Sequence, residues 1–166
     1  YERENIILKV NYLDLKNKRV FITGGGSGIG ASIVEHFCEQ GSEVYFVDID
    51  IKETNKLLKK IKKNKFKIPT FIECNLLNIN KLEKIIKKII LNKGPIDVLV
   101  NSAANDDRHT TDKVDEKYWE NRMAINLKHY FFASKAVVKA MMKIKSGSIV
   151  NLSSVSWMLG EGDKVV

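Results

Sequence analysis

Short apolar runs alternate along the chain with longer segments in which apolar residues recur every three or four positions. The runs Arg19 to Thr23, Glu43 to Val47, Ile68 to Glu73, Asp97 to Asn101 and Ser148 to Leu152 predict strands. Between them the spacing predicts helices at Gly28 to Gln40, Lys52 to Asn64 and Ile79 to Asn92, followed by one long helical stretch from Asp115 to Lys145. In the third helix Leu82, Ile85, Ile86, Ile89 and Ile90 share one face. Gly41 and Gly94 are natural helix stops. Such alternation predicts an α/β fold: a doubly wound parallel sheet with helices on both faces, in which ligands bind outside the carboxyl ends of the strands. No repeat or linker divides residues 1–166, so a single domain is expected.

The first strand runs straight into Gly24-Gly25-Gly26-Ser27-Gly28-Ile29-Gly30 and then into a helix. Bare backbone lets phosphates approach, and the unpaired N–H groups and positive dipole end of the helix receive an anion. A second strand follows and ends at Asp48, where a carboxylate can accept hydrogen bonds from the hydroxyls of an adenosine ribose. A capping role for Asp48 at the next segment is the alternative. No Lys-Ser/Thr pair follows the last glycine, which excludes a Walker A loop.

The spacing Thr23-Gly24-x-x-x-Gly28-Ile29-Gly30 resembles that of the short-chain dehydrogenase/reductases. The resemblance implies a Rossmann-like domain that binds NAD through Gly24, Gly26, Ser27, Gly28, Ile29 and Gly30, with Asp48 and Ile49 selecting NAD over NADP. Asn75 and Leu76 match the positions beside the adenine, although Asn75 stands where the family often has Asp; a strand-end turn is the competing reading. Asn101-Ser102-Ala103-Ala104 partly matches the family's Asn-Asn-Ala-Gly, which makes Asn101 and Ala103 cofactor residues, provided the alanines avoid positive φ.

Ser148-Ile149-Val150-Asn151-Leu152-Ser153-Ser154 resembles the strand that carries the family's catalytic serine, which assigns that role to Ser154. Asn126 matches the helix asparagine that holds a water in a proton relay; a core amide bonded to backbone is the alternative. The resemblance places the general base, a tyrosine, immediately after Val166, and its lysine partner one helical turn later. Residues 1–166, which start at Tyr1, therefore read as part of a longer enzyme whose C-terminal part of the fold is missing here.

The polar loop Asn105-Asp106-Asp107-Arg108-His109 lies where substrate is expected. With Ser156 and Trp157 it resembles the family's sugar 1-dehydrogenases, those acting on D-xylose above all. Asn105, Asp106, Arg108, His109 and Ser156 would then meet ring hydroxyls, and Trp157 the C–H face of the sugar. Alternatively the loop ties down the long helix through Arg108 and its carboxylate partners. The implied reaction oxidises the anomeric hydroxyl of an aldose to a lactone, and the resemblance implies a tetramer or dimer. Two alternatives stay open: a reductase of another carbonyl compound such as a 3-oxoacyl thioester, and a non-catalytic NAD-binding protein.

Composition changes this picture little. The formal charge of +8 is concentrated in residues 52–67, with eight Lys, and 81–93, with five, whereas Arg occurs four times in the chain. Lysine with Phe66 as its only interleaved aromatic reads as the wet face of amphipathic helices and a lysine-favouring coding bias, not as a nucleic-acid surface. Cys38 and Cys74 stand outside any metal or disulfide spacing, so no metal site is expected. No stretch reaches 18 apolar residues, so no membrane span is expected, and a reducing cytoplasm is.

Overall fold

A computed structural model of the chain describes residues 10–155 and residue 158. Five parallel strands form one sheet, β1 (Arg19–Thr23), β2 (Glu43–Asp48), β3 (Thr70–Glu73), β4 (Val98–Asn101) and β5 (Ser148–Asn151), in the spatial order β3-β2-β1-β4-β5. Helices α1 (Gly28–Glu39), α2 (Ile51–Lys63), α3 (Ile79–Lys93), α4 (Glu116–Met123) and α5 (His129–Ile144) link them.

The period of two in β1 and β2 feeds two cores at once. Val20, Ile22, Val44 and Phe46 pack with Val34 and Cys38 of α1 and Leu57 and Ile61 of α2. Phe21, Tyr45 and Val47 pack on the opposite face with Leu82 and Ile86 of α3 and Ala133 and Val137 of α5. Both faces of the central strands are therefore dry, which explains why they read as continuous apolar runs. Strand order reverses between β1 and β4, and the carboxyl ends of Thr23, Val47 and Asn101 come level there. That crevice is where a doubly wound sheet offers a site.

Two expectations need correction. The third strand begins at Thr70 rather than Ile68, because Pro69 has no N–H to give to the ladder. The long helix from Asp115 is interrupted: α4 passes through a π-helical turn, Ala124–Lys128, before α5 begins. An i, i+3, i+4 reading cannot register that one widened turn, and Asn126 sits at its centre.

β5 is the edge of the sheet and stays exposed along its length. Phe131, Val138 and Met142 of α5 also face outward. Among the described residues no helix is long and apolar enough to cross a membrane.

Candidate functional site

At the carboxyl end of the sheet an open cavity of about 690 Å³ follows the reversal of strand order. Its first wall is the glycine turn. Gly24 adopts φ +69°, and a Cβ on it would stand 2.6 Å from the Cα of Ala103, so this glycine lets the β1 and β4 loops touch. A Cβ on Gly30 would lie 1.9 Å from the carbonyl oxygen of Gly24, which shows how tightly the helix packs beneath the turn. Gly28, at φ +53°, has nothing within 4 Å of where its Cβ would be and opens onto the cavity.

The start of α1 differs from the starts of its neighbours. Helices α2, α3 and α4 are each capped by a side chain, Asp50, Asn78 and Asp115, that accepts from an N–H of the first turn. Ser27 makes no such bond at α1, and that helix has no acidic residue in its first turn. The N–H groups and the dipole at this end remain available to an anion. Bare backbone, open space at Gly28 and an uncapped helix end together fit the pyrophosphate of a dinucleotide.

Asp48 forms the next wall. Its Oδ2 accepts from Gly26 N–H at 2.7 Å, and its Oδ1 from Ile49 and Asp50 N–H at 2.7 and 2.9 Å. A carboxylate has about four acceptor positions, so three backbone donors fix its orientation and leave room for a further donor. Ile29 and Ile49 are 71% and 66% exposed at the rim, an apolar pair suited to a flat ring. Leu76 is nearly buried on the wall beyond. Asn75 also lines the cavity, but its Oδ1 already accepts from Leu77 N–H at 2.9 Å and so makes the strand-end turn.

Thr23 holds the third wall in place. It is fully buried, and its Oγ1 accepts from Ser102 and Ala103 N–H at 3.1 and 3.3 Å. Neither Ala103 nor Ala104 has positive φ, so the loop tolerates alanine at both. Ser102, Ala103 and Ala104 line the cavity. Asn101 does not: it is fully buried, and its amide donates to Asn151 Oδ1 at 2.8 Å, tying β4 to β5. The structure thus gives Asn101 a bracing position and brings its three successors to the cavity.

His129 stands behind Thr23, also fully buried. Its Nδ1 lies on the Ile125 carbonyl, which requires a proton there, so Nε2 accepts from the Thr23 hydroxyl at 3.2 Å. Burial pushes its pKa down from 6.5 to about 4, and the ring is neutral at physiological pH. The ring links β1 to the π turn.

Asn126 spends its side chain on the loop that begins at Asn105. Oδ1 accepts from Asn105 N–H at 2.8 Å and Nδ2 donates to the Asn105 carbonyl at 3.1 Å. The side chain therefore takes the backbone-bonding role.

Asn105, Asp106 and Asp107 line the far end of the cavity. Arg108 is exposed and off that wall, while His109 is 7% exposed and packs its ring 5.0 Å from that of Tyr118. The loop is tied to α4, but through Arg122 rather than Arg108. Arg122 donates to the carbonyls of Asn105 and Asp107 at 2.6 and 3.0 Å. Sequence reasoning missed Arg122 and His129. Both stand on the same helical stretch as Asn126, within about one turn, and that proximity was the available signal.

Ser154 lies in the exposed loop after β5. Ser156 and Trp157 fall outside the described residues. No described residue that lines the cavity is Lys or Arg, whereas Asp48, Asp50, Asp106 and Asp107 all do. A chain with a formal charge of +8 therefore encloses an acidic cavity.

Residues 18–162 match the family model described as short chain dehydrogenase. The chain is 41% identical over 155 residues to a D-xylose 1-dehydrogenase of Caulobacter vibrioides, covering 93% of this chain and 60% of that protein. It is 40% identical over 146 residues to a probable galactose dehydrogenase of Rhizobium meliloti, covering 88% and 57%. Among solved structures it resembles a gluconate 5-dehydrogenase from Burkholderia cenocepacia, determined with NADP and tartrate, with a TM-score of 0.78 and 25% identity over 90% of this chain and 58% of that one. The chain thus spans about 60% of the length of the curated relatives it matches.

Proposed function

Because this chain belongs to the short-chain dehydrogenase family, we propose that the whole protein is an NAD-dependent oxidoreductase that converts the anomeric hydroxyl of a D-xylose-like aldose to a lactone. The observation that carries the reading is the composition of the cavity. A wall suited to a dinucleotide runs into a polar loop, Asn105 to Asp107, with carboxylates at both ends and no Lys or Arg among the described residues that line it.

Asp48 supports NAD over NADP. A ribose hydroxyl can donate to its remaining acceptor position, whereas a 2′-phosphate there would meet a fixed carboxylate with no Lys or Arg among the described cavity residues to offset it. The same charges disfavour the phosphate groups of an acyl thioester and favour neutral hydroxyl donors such as a sugar. Similarity to the D-xylose and galactose dehydrogenases points the same way.

The division of labour follows from the residues. The glycine turn and the start of α1 hold the pyrophosphate, Ile29 and Ile49 flank the adenine, and Asp48 meets the adenosine ribose. Bound NAD supplies the hydride acceptor. Ser154 orients the reacting hydroxyl, and the loop of Asn105 and Asp106 reads its neighbours on the ring. The proton of the anomeric hydroxyl would pass to the tyrosine that the family resemblance implies and on through water at the Asn126 turn, while the hydrogen on the anomeric carbon would leave as hydride. The exposed apolar side of α5, with Phe131 and Met142, suits association of the whole protein into dimers or tetramers.

The test is NAD reduction at 340 nm by the complete reading frame, with D-xylose, D-galactose and a non-sugar secondary alcohol as substrates. Turnover of an aldose with NAD at least tenfold above that with NADP is expected. Turnover of the secondary alcohol alone overturns the sugar assignment, and a preference for NADP overturns the role given to Asp48.

A further inference from the structure

Arg122 is charged yet only 4% exposed. The carboxylate of Asp107 is 3.6 Å away and mostly in solvent, too loose a pairing to offset the burial of a guanidinium. Hydrogen bonds must do so, and the fork is aimed at acceptors. Nη1 donates to the Asn105 carbonyl at 2.6 Å, and Nη2 to the Asp107 carbonyl at 3.0 Å and the Tyr118 hydroxyl at 2.6 Å. Nε donates to the same hydroxyl at 2.9 Å, and the guanidinium carbon lies 4.8 Å from the centre of the Tyr118 ring.

Two of these acceptors are main-chain carbonyls of the loop that lines the far end of the cavity. His109 closes the other side, with its Nδ1 3.2 Å from the Asp107 carbonyl and its ring against Tyr118. The carbonyl of Asn105 also receives Nδ2 of Asn126 at 3.1 Å. Arg122 and Asn126 are one helical turn apart, so both project to the same side and converge on one oxygen. The substrate loop and the π turn are thereby locked to each other.

We infer that Arg122 is a positioning residue that fixes the main chain of Asn105 to Asp107 against the Asn126 turn and so sets which hydroxyl pattern the cavity accepts. The substrate class rests on the aldose reading above; the clamp itself does not. Lysine cannot replace it, because a single ammonium on a flexible stem cannot serve carbonyls and a phenol in one plane.

The experiment compares wild type, Arg122→Lys and the milder Tyr118→Phe in the complete reading frame. It measures kcat and KM for D-xylose and D-galactose, the Kd for NAD, and amide hydrogen exchange. Arg122→Lys is expected to raise the sugar KM at least tenfold, narrow the ratio of kcat/KM between the two sugars, and leave the NAD Kd within twofold. Exchange of residues 103–109 should quicken at least tenfold while β1, β2 and β4 stay protected, and Tyr118→Phe should shift each quantity the same way by less. Unchanged exchange in the loop, or parallel loss of NAD and sugar affinity, overturns the proposal. Should wild type turn over no aldose, the sugar reading fails, and the exchange of residues 103–109 alone decides for or against the clamp.

Discussion

The two ends of the cavity are built from different materials. At the glycine end, shape is set by missing side chains: Gly24 against Ala103, Gly30 against Gly24, and open space at Gly28. At the end lined by Asn105 to Asp107, shape is set by side chains that reach back to hold main chain: Arg122, Asn126 and, behind them, His129. The first arrangement leans on few side-chain bonds, those of Asp48 to Gly26 N–H and of Thr23 to the β4 loop, and fails above all when something is added. The second fails when one donor is removed. A glycine wall is thus suited to a ligand that does not change, and a strapped loop to one that differs between relatives.

The comparison breaks most severely if an atom is added to the glycine end. Gly30→Ala places a methyl 1.9 Å from the Gly24 carbonyl oxygen and 2.8 Å from its carbon, and neither backbone atom can rotate away. Over-packing against backbone costs about 3 kcal/mol, and the turn must move to relieve it. NAD affinity, followed by quenching of protein fluorescence, should fall at least a hundredfold. The strapped loop should keep its exchange protection in this variant, because none of its bonds passes through Gly30. A joint loss of both would show that the two ends are one cooperative unit.

The strap can be loosened by acid. His129 is neutral and buried with a pKa of about 4, below its ordinary 6.5, so the unfolded chain binds a proton between these values that the folded chain does not. Its contribution is therefore fully present above pH 6.5, declines as the pH falls towards 4, and levels off below that. Up to about 3 kcal/mol is at stake. His129→Asn keeps a donor for the Ile125 carbonyl but removes the titration. The difference in unfolding free energy between it and wild type should shrink by that amount from pH 7 to pH 4. An unchanged difference would mean that His129 takes up its proton over the same pH range in the folded and the unfolded chain, so that the fold does not shield the ring.

How far the sequence revealed each end follows from the same contrast. Gly24, Gly28 and Gly30 were legible because a glycine's purpose is local: it permits a turn or a close approach by neighbours in the chain. Asp48 was legible because a strand end fixes where it points. The strap was not. Arg108 and Arg122 are both arginines in polar surroundings, and which of them is buried depends on how the loop folds back over α4. Asn126 was found, but its two bonds to Asn105 come from a π turn that no periodicity announces. The strand-end motif points Asn101 to the cofactor, whereas its partner, Asn151, is 50 residues away on the neighbouring strand.

The smallest change sharpens the comparison at the boundary between shape and charge. Asp48→Asn preserves the size of the side chain and one of its two acceptor oxygens, for Gly26 N–H on one side or Ile49 and Asp50 N–H on the other, but removes the fixed charge. If the glycine wall supplies shape alone and Asp48 supplies the choice of dinucleotide, the affinity for NAD should change less than threefold. That for NADP should rise by about tenfold to thirtyfold, equivalent to removing a like-charge contact of about 2 kcal/mol at an effective dielectric of about 20. The effect should weaken at high salt, because the groove is open and its charges are screened. A fall in NAD affinity of the same size, with NADP unmoved, would give Asp48 a different role: not a gate against the extra phosphate, but a brace for the glycine turn through its bond to Gly26.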